Sequence, residues 1–140
     1  MRRGRSLPAD IRERLETLGE PLARHSSVVF AYLFGGAATG RLTPLSDVDV
    51  AVYLEETADP VAERLEVIDA VSAHLGTDEI DVLVLNTAPT ALVGRVLGTR
   101  RVILDRDPFR RHRFESKALR EFFDFRLFEH RLLARRARDG

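Results

Sequence analysis

The sequence predicts an α/β (α+β) domain in which a small mixed β-sheet is flanked by helices. Runs rich in β-branched and aromatic residues alternate with segments whose apolar residues recur at helical spacing, and this alternation is typical of the fold class. The 140 residues contain no internal repeat and no linker rich in Gly, Ser or Pro. We therefore expect a single domain over residues 1–140, since a chain of this length can bury a core without disulfides or metals.

The first half of the chain is predicted to form one helix followed by two strands. Apolar residues at helical spacing, with a proline in the first turn, predict a helix over residues 8–25. A run of Val, Phe, Tyr and Leu predicts a buried strand over residues 27–34, which ends at Gly35-Gly36. The β-branched residues of segment 47–54 predict the second strand.

The second half of the chain is predicted to alternate helices and strands. From Pro60 onward, apolar residues recur every three or four positions and predict a helix that stops near Gly76. A third strand is predicted over residues 80–85, and a short helix with a proline near its start over residues 87–99. A weak fourth strand follows over residues 101–104, and a long helix opened by Asp-Pro is predicted over residues 107–137.

The composition excludes several classes of protein. There is no cysteine, which rules out a disulfide framework, a thiolate metal site and a cysteine nucleophile. The longest mainly apolar run, residues 28–38, is too short for a membrane span. The N-terminus begins with basic residues but no apolar segment follows, so we expect no secretory signal. A soluble, cytoplasmic protein is the expectation.

The net charge of zero conceals two regions of opposite sign. Residues 1–99 hold 9 Arg against 15 Asp and Glu, a balance of −6, whereas residues 100–140 hold 13 Arg and Lys against 7 Asp and Glu, a balance of +6. Six of the eight phenylalanines lie within residues 109–128, interleaved with arginines. This pattern fits a core-packing helix with a solvated arginine face and also fits a partner-binding helix. Nucleic-acid binding is a weaker third interpretation.

Two aspartates on the second predicted strand are the strongest candidates for chemistry. Asp47 and Asp49 are two residues apart, so their side chains leave the same face of a strand. Two such carboxylates repel each other unless a cation lies between them, and oxygen ligands suit Mg²⁺. Asp81, in the apolar third strand, would complete a three-carboxylate site if that strand were adjacent. A solvent-exposed acidic strand, and a capping or solvent-facing role for Asp81, are the alternatives.

The double glycine at the end of the first strand is the second candidate element. Because Gly35 and Gly36 have no side chains, their backbone N–H groups can approach a phosphate closely, and a short helix over residues 37–42 would add its dipole. A simple turn is the alternative interpretation. The two candidate elements, a phosphate cradle and a metal-binding strand, are separated by ten residues.

The arrangement G-G-x10-D-x-D, with a further aspartate on a later strand, resembles the minimal nucleotidyltransferases of the polymerase-β-like superfamily, whose pattern is G-S-x10-D-x-D. The resemblance covers most of the chain. The C-terminal segment, with Leu104-Asp-Arg-Asp-Pro-Phe followed by Phe114-Glu115, resembles the antitoxin subgroup encoded beside HEPN-domain RNase toxins. The resemblance therefore implies the nucleotidyltransferase fold.

The resemblance also implies a function, in which AMP passes from ATP to a tyrosine hydroxyl of a partner HEPN toxin and silences it in a hetero-oligomer. By the same resemblance Asp47, Asp49 and Asp81 hold Mg²⁺, and Asp81 accepts the proton of the attacking hydroxyl. The nucleotide would be bound by Gly35, Gly36, Arg41 and Ser46. Neither a membrane nor a nucleic acid is an expected partner.

Two departures from the family pattern leave alternatives open. Gly36 replaces the family serine, and Thr39 stands where an arginine is often found, although Arg41 lies close by. Losing one hydrogen bond to a charged group weakens binding or rate roughly ten- to a hundredfold. The alternatives are a catalytically weakened antitoxin that neutralises its partner by binding, and a transferase that acts on a small hydroxylated molecule.

Overall fold

Four strands form one mixed sheet at the centre of the molecule. The structure is a computed structural model, and it describes residues 7–139. The basic N-terminal residues 1–6 lie outside the described part. The sheet has the strand order β3-β2-β1-β4, and β1 is antiparallel to both of its neighbours while β2 and β3 are parallel. The strands are β1 Val28–Phe34, β2 Val48–Leu54, β3 Ile80–Val84 and β4 Arg101–Asp105. The predicted mixed sheet is confirmed.

Within residues 7–139, six helices and one 3₁₀ turn, Leu85–Thr87, accompany these strands. Local sequence signals explain where α4 begins and ends. The Asp59 side chain accepts a hydrogen bond from the backbone N–H of Val61 at 3.1 Å, Pro60 occupies the first turn, and Gly76 ends the helix in the left-handed conformation. The helices are α1 Ile11–Glu16, α2 Gly19–Ala23, α3 Gly36–Thr39, α4 Pro60–Leu75, α5 Thr90–Thr99 and α6 Pro108–Asp139.

The two faces of the sheet carry separate apolar clusters. Val48, Val50 and Val52 of β2 point to the face covered by α1, α2 and α4. The alternate residues Ala51 and Tyr53 point to the face covered by α5 and the first half of α6. Because side chains alternate along a strand, Asp49 belongs to this second face. The helices therefore enclose the middle of β2, and Asp49 lies towards its N-terminal end.

The prediction of one continuous helix over residues 8–25 is wrong, since this segment forms the two short helices α1 and α2. Pro21 explains part of the interruption, because a proline inside a longer helix would remove a backbone hydrogen bond, whereas the first turn of α2 tolerates it. Gly19 packs against β4 so closely that a Cβ atom there would lie 2.3 Å from the Ile103 carbonyl oxygen. The chain therefore breaks where it passes the edge of the sheet.

The long C-terminal helix, α6, divides into two parts. Its first half packs on the sheet and buries Glu115 and Ala118. From residue 121 to residue 139 every side chain is exposed except the half-buried Phe122. The 32-residue helix is about 48 Å long at 1.5 Å per residue, so much of it extends away from the body. Within residues 7–139, no helix combines the length and the apolar character needed to cross a bilayer.

Candidate active site

The three aspartates that the sequence singles out as candidates lie near one another at one end of the sheet. Asp49 on β2 is the register partner of Asp81 on the parallel strand β3 and of Phe34 at the end of β1. Register partners on adjacent strands point to the same face, so Asp49 and Asp81 share the face that carries α5. Asp47 immediately precedes β2, two positions before Asp49.

The electrostatics of Asp49 reflect this grouping. Burial raises the pKa of the half-buried Asp49 carboxyl above its ordinary value, and the like charges of Asp81 and Asp47 raise it further. The charged form of Asp49 is therefore disfavoured in the protein alone. A divalent cation between Asp47 and Asp49 would relieve this repulsion, and carboxylate oxygens are the donors that Mg²⁺ takes.

Asp81 also contacts a basic residue of α4. Its oxygen lies 3.8 Å from the Arg64 guanidinium, and its side chain is 64% exposed. Arg64 is held in place because its Nε donates to the Val82 carbonyl oxygen at 2.7 Å. Over the described part of the chain, no three acidic or histidine side chains are close enough to hold a metal by themselves. Mg²⁺ is commonly held by one or two carboxylates together with substrate phosphates and water, and Asp47 with Asp49 fits that requirement.

Gly35 brings the end of β1 directly against the Asp49 carboxylate. Its φ of 66° and ψ of −145° are accessible to glycine, and a Cβ atom here would lie 2.8 Å from Asp49 Oδ2. The Gly35 N–H donates to the Thr99 hydroxyl oxygen at 2.9 Å. Gly36 is less constrained, since a Cβ atom at this position would lie 3.6 Å from the Arg41 carbonyl oxygen, an ordinary contact.

Arg41 and Ser46 lie on the segment between the glycines and the aspartates. The Arg41 N–H donates to the Gly36 carbonyl oxygen at 2.9 Å, and Arg41 is exposed. The Ser46 hydroxyl accepts from the Thr43 N–H at 2.9 Å and lies 3.0 Å from the Thr43 hydroxyl. Ser46 therefore closes the turn that leads into Asp47.

Thr99 also contacts the glycine turn, and no pattern in the sequence indicates this. It is the last residue of α5 and lies 64 positions from Gly35, the residue whose N–H it accepts. No motif or periodicity marks a contact of this kind.

A cavity lies at the opposite end of the sheet from the aspartates. It has a volume of about 620 Å³ and opens between the end of β2, the 3₁₀ turn and α6. Tyr53, Asn86, Arg110 and Lys117 are among its lining residues, and none of the three aspartates lines it. A groove of about 420 Å³ along β3 includes both Arg64 and Asp81. The chemistry of the side chains, rather than the size of the cavity, therefore locates the candidate site.

The fold agrees with a family match. The sequence profile described as "Polymerase beta, Nucleotidyltransferase" matches residues 16–109, which is more than half of the chain. The chain belongs to this nucleotidyltransferase family. The matched region contains the double glycine and all three aspartates, and it ends at Phe109, so nearly all of α6 lies beyond it.

Solved structures share the nucleotidyltransferase fold with this chain. A toxin-antitoxin complex with AMP-PNP contains a chain with a TM-score of 0.60 and 21% identity, covering 90% of this chain and 93% of that chain. A protein from Shewanella oneidensis gives a TM-score of 0.63 at 18% identity, with 90% and 95% covered. A complex of the tri-AMPylated Shewanella oneidensis HEPN toxin with MNT antitoxin gives 0.55 at 19% identity, with 91% of each chain covered. No curated protein matches this chain.

Proposed function

We propose that this nucleotidyltransferase is a Mg²⁺-dependent adenylyltransferase that transfers AMP from ATP to a hydroxyl of a partner HEPN toxin and thereby acts as its antitoxin. The proposal depends above all on one observation, the Gly35 turn packed against Asp49 within a group of three carboxylates. A glycine turn beside carboxylates lets phosphates approach the backbone closely and places oxygen ligands for a metal next to them.

Each site residue has a role in this proposal. Asp47 and Asp49 hold Mg²⁺, which when bound neutralises phosphate charge and lowers the pKa of the incoming hydroxyl. Gly35 and Gly36 allow the phosphates to approach the backbone, and Arg41 and Ser46 border the nucleotide. The acceptor oxygen forms a bond to the α-phosphorus while the bond to the β-phosphate oxygen breaks and pyrophosphate leaves. Asp81, exposed and beside Arg64, accepts the proton of the attacking hydroxyl.

The identity of the partner is supported by the structural neighbours, among which are a HEPN toxin carrying AMP groups together with its antitoxin, and a toxin-antitoxin complex with AMP-PNP. The distal half of α6 is the surface proposed to bind the partner. Its exposed apolar side chains include Phe123, Phe128 and Leu133, and aromatic residues with arginine are enriched at protein interfaces. We expect a cytoplasmic hetero-oligomer.

The test is mass spectrometry of the cognate HEPN toxin after incubation with the protein, ATP and Mg²⁺. We expect a mass increase of one or more AMP groups with the wild type and none with Asp49→Asn. The matched control is Asp69→Asn, which removes the same charge from an exposed position on α4 and should transfer AMP at the wild-type rate. Unchanged transfer by Asp49→Asn would contradict the proposed mechanism.

A second function, neutralisation of the toxin by binding alone, is favoured by the absence of a hydroxyl at Gly36. The experiment that separates the two functions is a toxin RNase assay with the Asp49→Asn variant. If Asp49→Asn forms a complex and still inhibits the toxin fully, neutralisation occurs by binding. If the complex forms but RNase activity persists, neutralisation requires AMP transfer.

A further inference from the structure

The hydroxyl of Thr99 lies at the glycine turn with a free hydrogen-bond donor. A threonine hydroxyl has one donor and two acceptor positions. One acceptor position is used by the Gly35 N–H at 2.9 Å. No group among residues 7–139 accepts from the Thr99 hydroxyl, and the residue is exposed. The free donor is therefore available to a ligand bound at the turn.

The other hydroxyls near the turn make hydrogen bonds within segment 35–46. The Thr39 hydroxyl donates to the Gly35 carbonyl oxygen at 3.2 Å. Thr43 and Ser46 bond to each other, with 3.0 Å between their hydroxyl oxygens. Gly36 has no side chain. One proton of the Thr43–Ser46 pair also stays free, but Thr99 is the hydroxyl at this turn that bonds directly to the Gly35 N–H and keeps its own proton for a phosphate.

Thr99 is also held on a rigid support. The two residues before Gly98, Val96 and Leu97, are buried in the core. The next residue, Arg100, donates from Nε to the buried Glu115 at 3.1 Å and from Nη1 to the Leu97 carbonyl oxygen at 2.6 Å. A ligand-binding group needs this kind of fixed support if its position is to be maintained.

We propose that the Thr99 hydroxyl binds a phosphate oxygen of the nucleotide and positions the Gly35 turn, supplying from α5 the hydroxyl that position 36 lacks. This inference rests on the proposed function, because it assumes that a nucleoside triphosphate binds beside Asp49. In this arrangement Thr99 accepts from the Gly35 N–H and donates to the phosphate at the same time. The nucleotide site then spans α5 as well as the segment between Gly35 and Asp49.

The test compares Thr99→Val, which keeps the shape and removes the hydroxyl, with Thr99→Ser, which keeps the hydroxyl. The exposed Thr57, for which no side-chain hydrogen bond is found within residues 7–139, provides the control Thr57→Val. The dissociation constant for AMP-PNP with Mg²⁺ is measured by calorimetry. We expect Thr99→Val to weaken binding roughly ten- to a hundredfold, with Thr99→Ser and Thr57→Val within about threefold of the wild type. Gly36→Ser added to Thr99→Val should recover much of the loss.

A second readout, hydrogen exchange of the Gly35 amide, needs no nucleotide. It should become faster in Thr99→Val and stay slow in Thr99→Ser. Faster exchange with unchanged AMP-PNP binding would overturn the ligand role and leave a purely structural contact. Unchanged exchange would overturn the positioning role. If the wild type binds AMP-PNP and Thr99→Val binds it equally well, the inference fails while the proposed function stands. If the wild type itself does not bind, the proposed function fails with it.

Discussion

Replacing Glu115 with alanine would remove the shared acceptor of a hydrogen-bond network that joins α6 to the sheet. Glu115 is 5% exposed. Its Oε2 atom accepts from the Tyr32 hydroxyl at 2.6 Å, from Arg100 Nε at 3.1 Å and from Arg111 Nη1 at 3.1 Å. After the substitution, one buried hydroxyl and two guanidinium groups lose their common partner.

The magnitude follows from the burial of these groups. A hydrogen bond to a charged group contributes about 1.5–3 kcal/mol, but three bonds that share one acceptor do not add. Breaking a buried ion pair by removing one partner costs about 3–5 kcal/mol, because the remaining charge stays desolvated. The Arg100 side chain is 32% exposed and can be partly rehydrated, whereas the Arg111 side chain is 15% exposed. We therefore expect a loss near the lower end, about 3 kcal/mol.

The assay is urea unfolding at pH 7, monitored by circular dichroism. The control is Glu121→Ala on the same helix, where an exposed carboxylate lies 3.3 Å from Lys117, and it should change the free energy of unfolding by less than about 1 kcal/mol. A loss below about 1 kcal/mol for Glu115→Ala would refute the reasoning. That result would mean that the network contributes no more than a surface ion pair.

The same network predicts how stability depends on pH. Burial opposes ionisation of Glu115, but the hydrogen bonds from Tyr32 and Arg111 and the charges of Arg100 and Arg111 hold its pKa below the ordinary glutamate value. The stabilisation is therefore fully present above the ordinary pKa and is lost as the pH falls through the lower pKa of the folded state. The wild type and Glu115→Gln should differ in their free energy of unfolding at neutral pH, and this difference should become smaller as the pH is lowered into the acid range.

Three further substitutions test other contacts. Gly35→Ala should abolish AMP transfer and lower the free energy of unfolding by about 1–3 kcal/mol, because a φ of 66° with a ψ of −145° is open almost only to glycine and the new Cβ would lie 2.8 Å from Asp49 Oδ2; transfer assays and urea unfolding measure the two effects. Asp49→Asn should raise the melting temperature in EDTA at pH 7, and the gain should shrink as the pH falls, because the raised pKa of Asp49 makes its charge destabilising. Gly94→Ala should lower the free energy of unfolding by about 1–3 kcal/mol in urea titrations, because a Cβ atom there would lie 2.0 Å from a Phe122 ring carbon.

The sequence predicted the parts of the fold that depend on local patterns. The strands follow runs of β-branched and aromatic residues, and α4 follows its capping aspartate and terminal glycine. The break between α1 and α2 was missed because the apolar periodicity continues through Gly19 and Pro21. There the contact of Gly19 with the Ile103 carbonyl oxygen decides the path of the chain. Such a contact depends on where β4 lies in space.

The same distinction applies to the candidate site. The sequence allowed Asp49 and Asp81 to be grouped as candidates, because both lie on predicted strands and would come together if those strands were adjacent. In the structure the two strands are neighbours and the two residues are in register. The ion pair of Asp81 with Arg64 and the contact of Thr99 with Gly35 could not be predicted, since each joins a helix to a strand or to a strand end across many residues. Periodicity predicts which face of an element is apolar, but it does not predict which polar side chain of another element lies opposite.

Only part of the positive charge of the C-terminal region can interact with a partner. Arg100 and Arg111 are committed to the carboxylates of Glu115 and Asp105 inside the molecule. Over residues 121–129 the acidic side chains outnumber the basic ones, three to one, whereas residues 130–139 carry four arginines and one aspartate. No ion pair joins these four arginines to another residue within 7–139. The basic excess is therefore concentrated at the far end of α6, next to exposed apolar residues such as Leu132 and Leu133. A partner that fits this end would present acidic groups around an apolar groove, and the acidic site at the N-terminal end of β2 would remain free for the nucleotide.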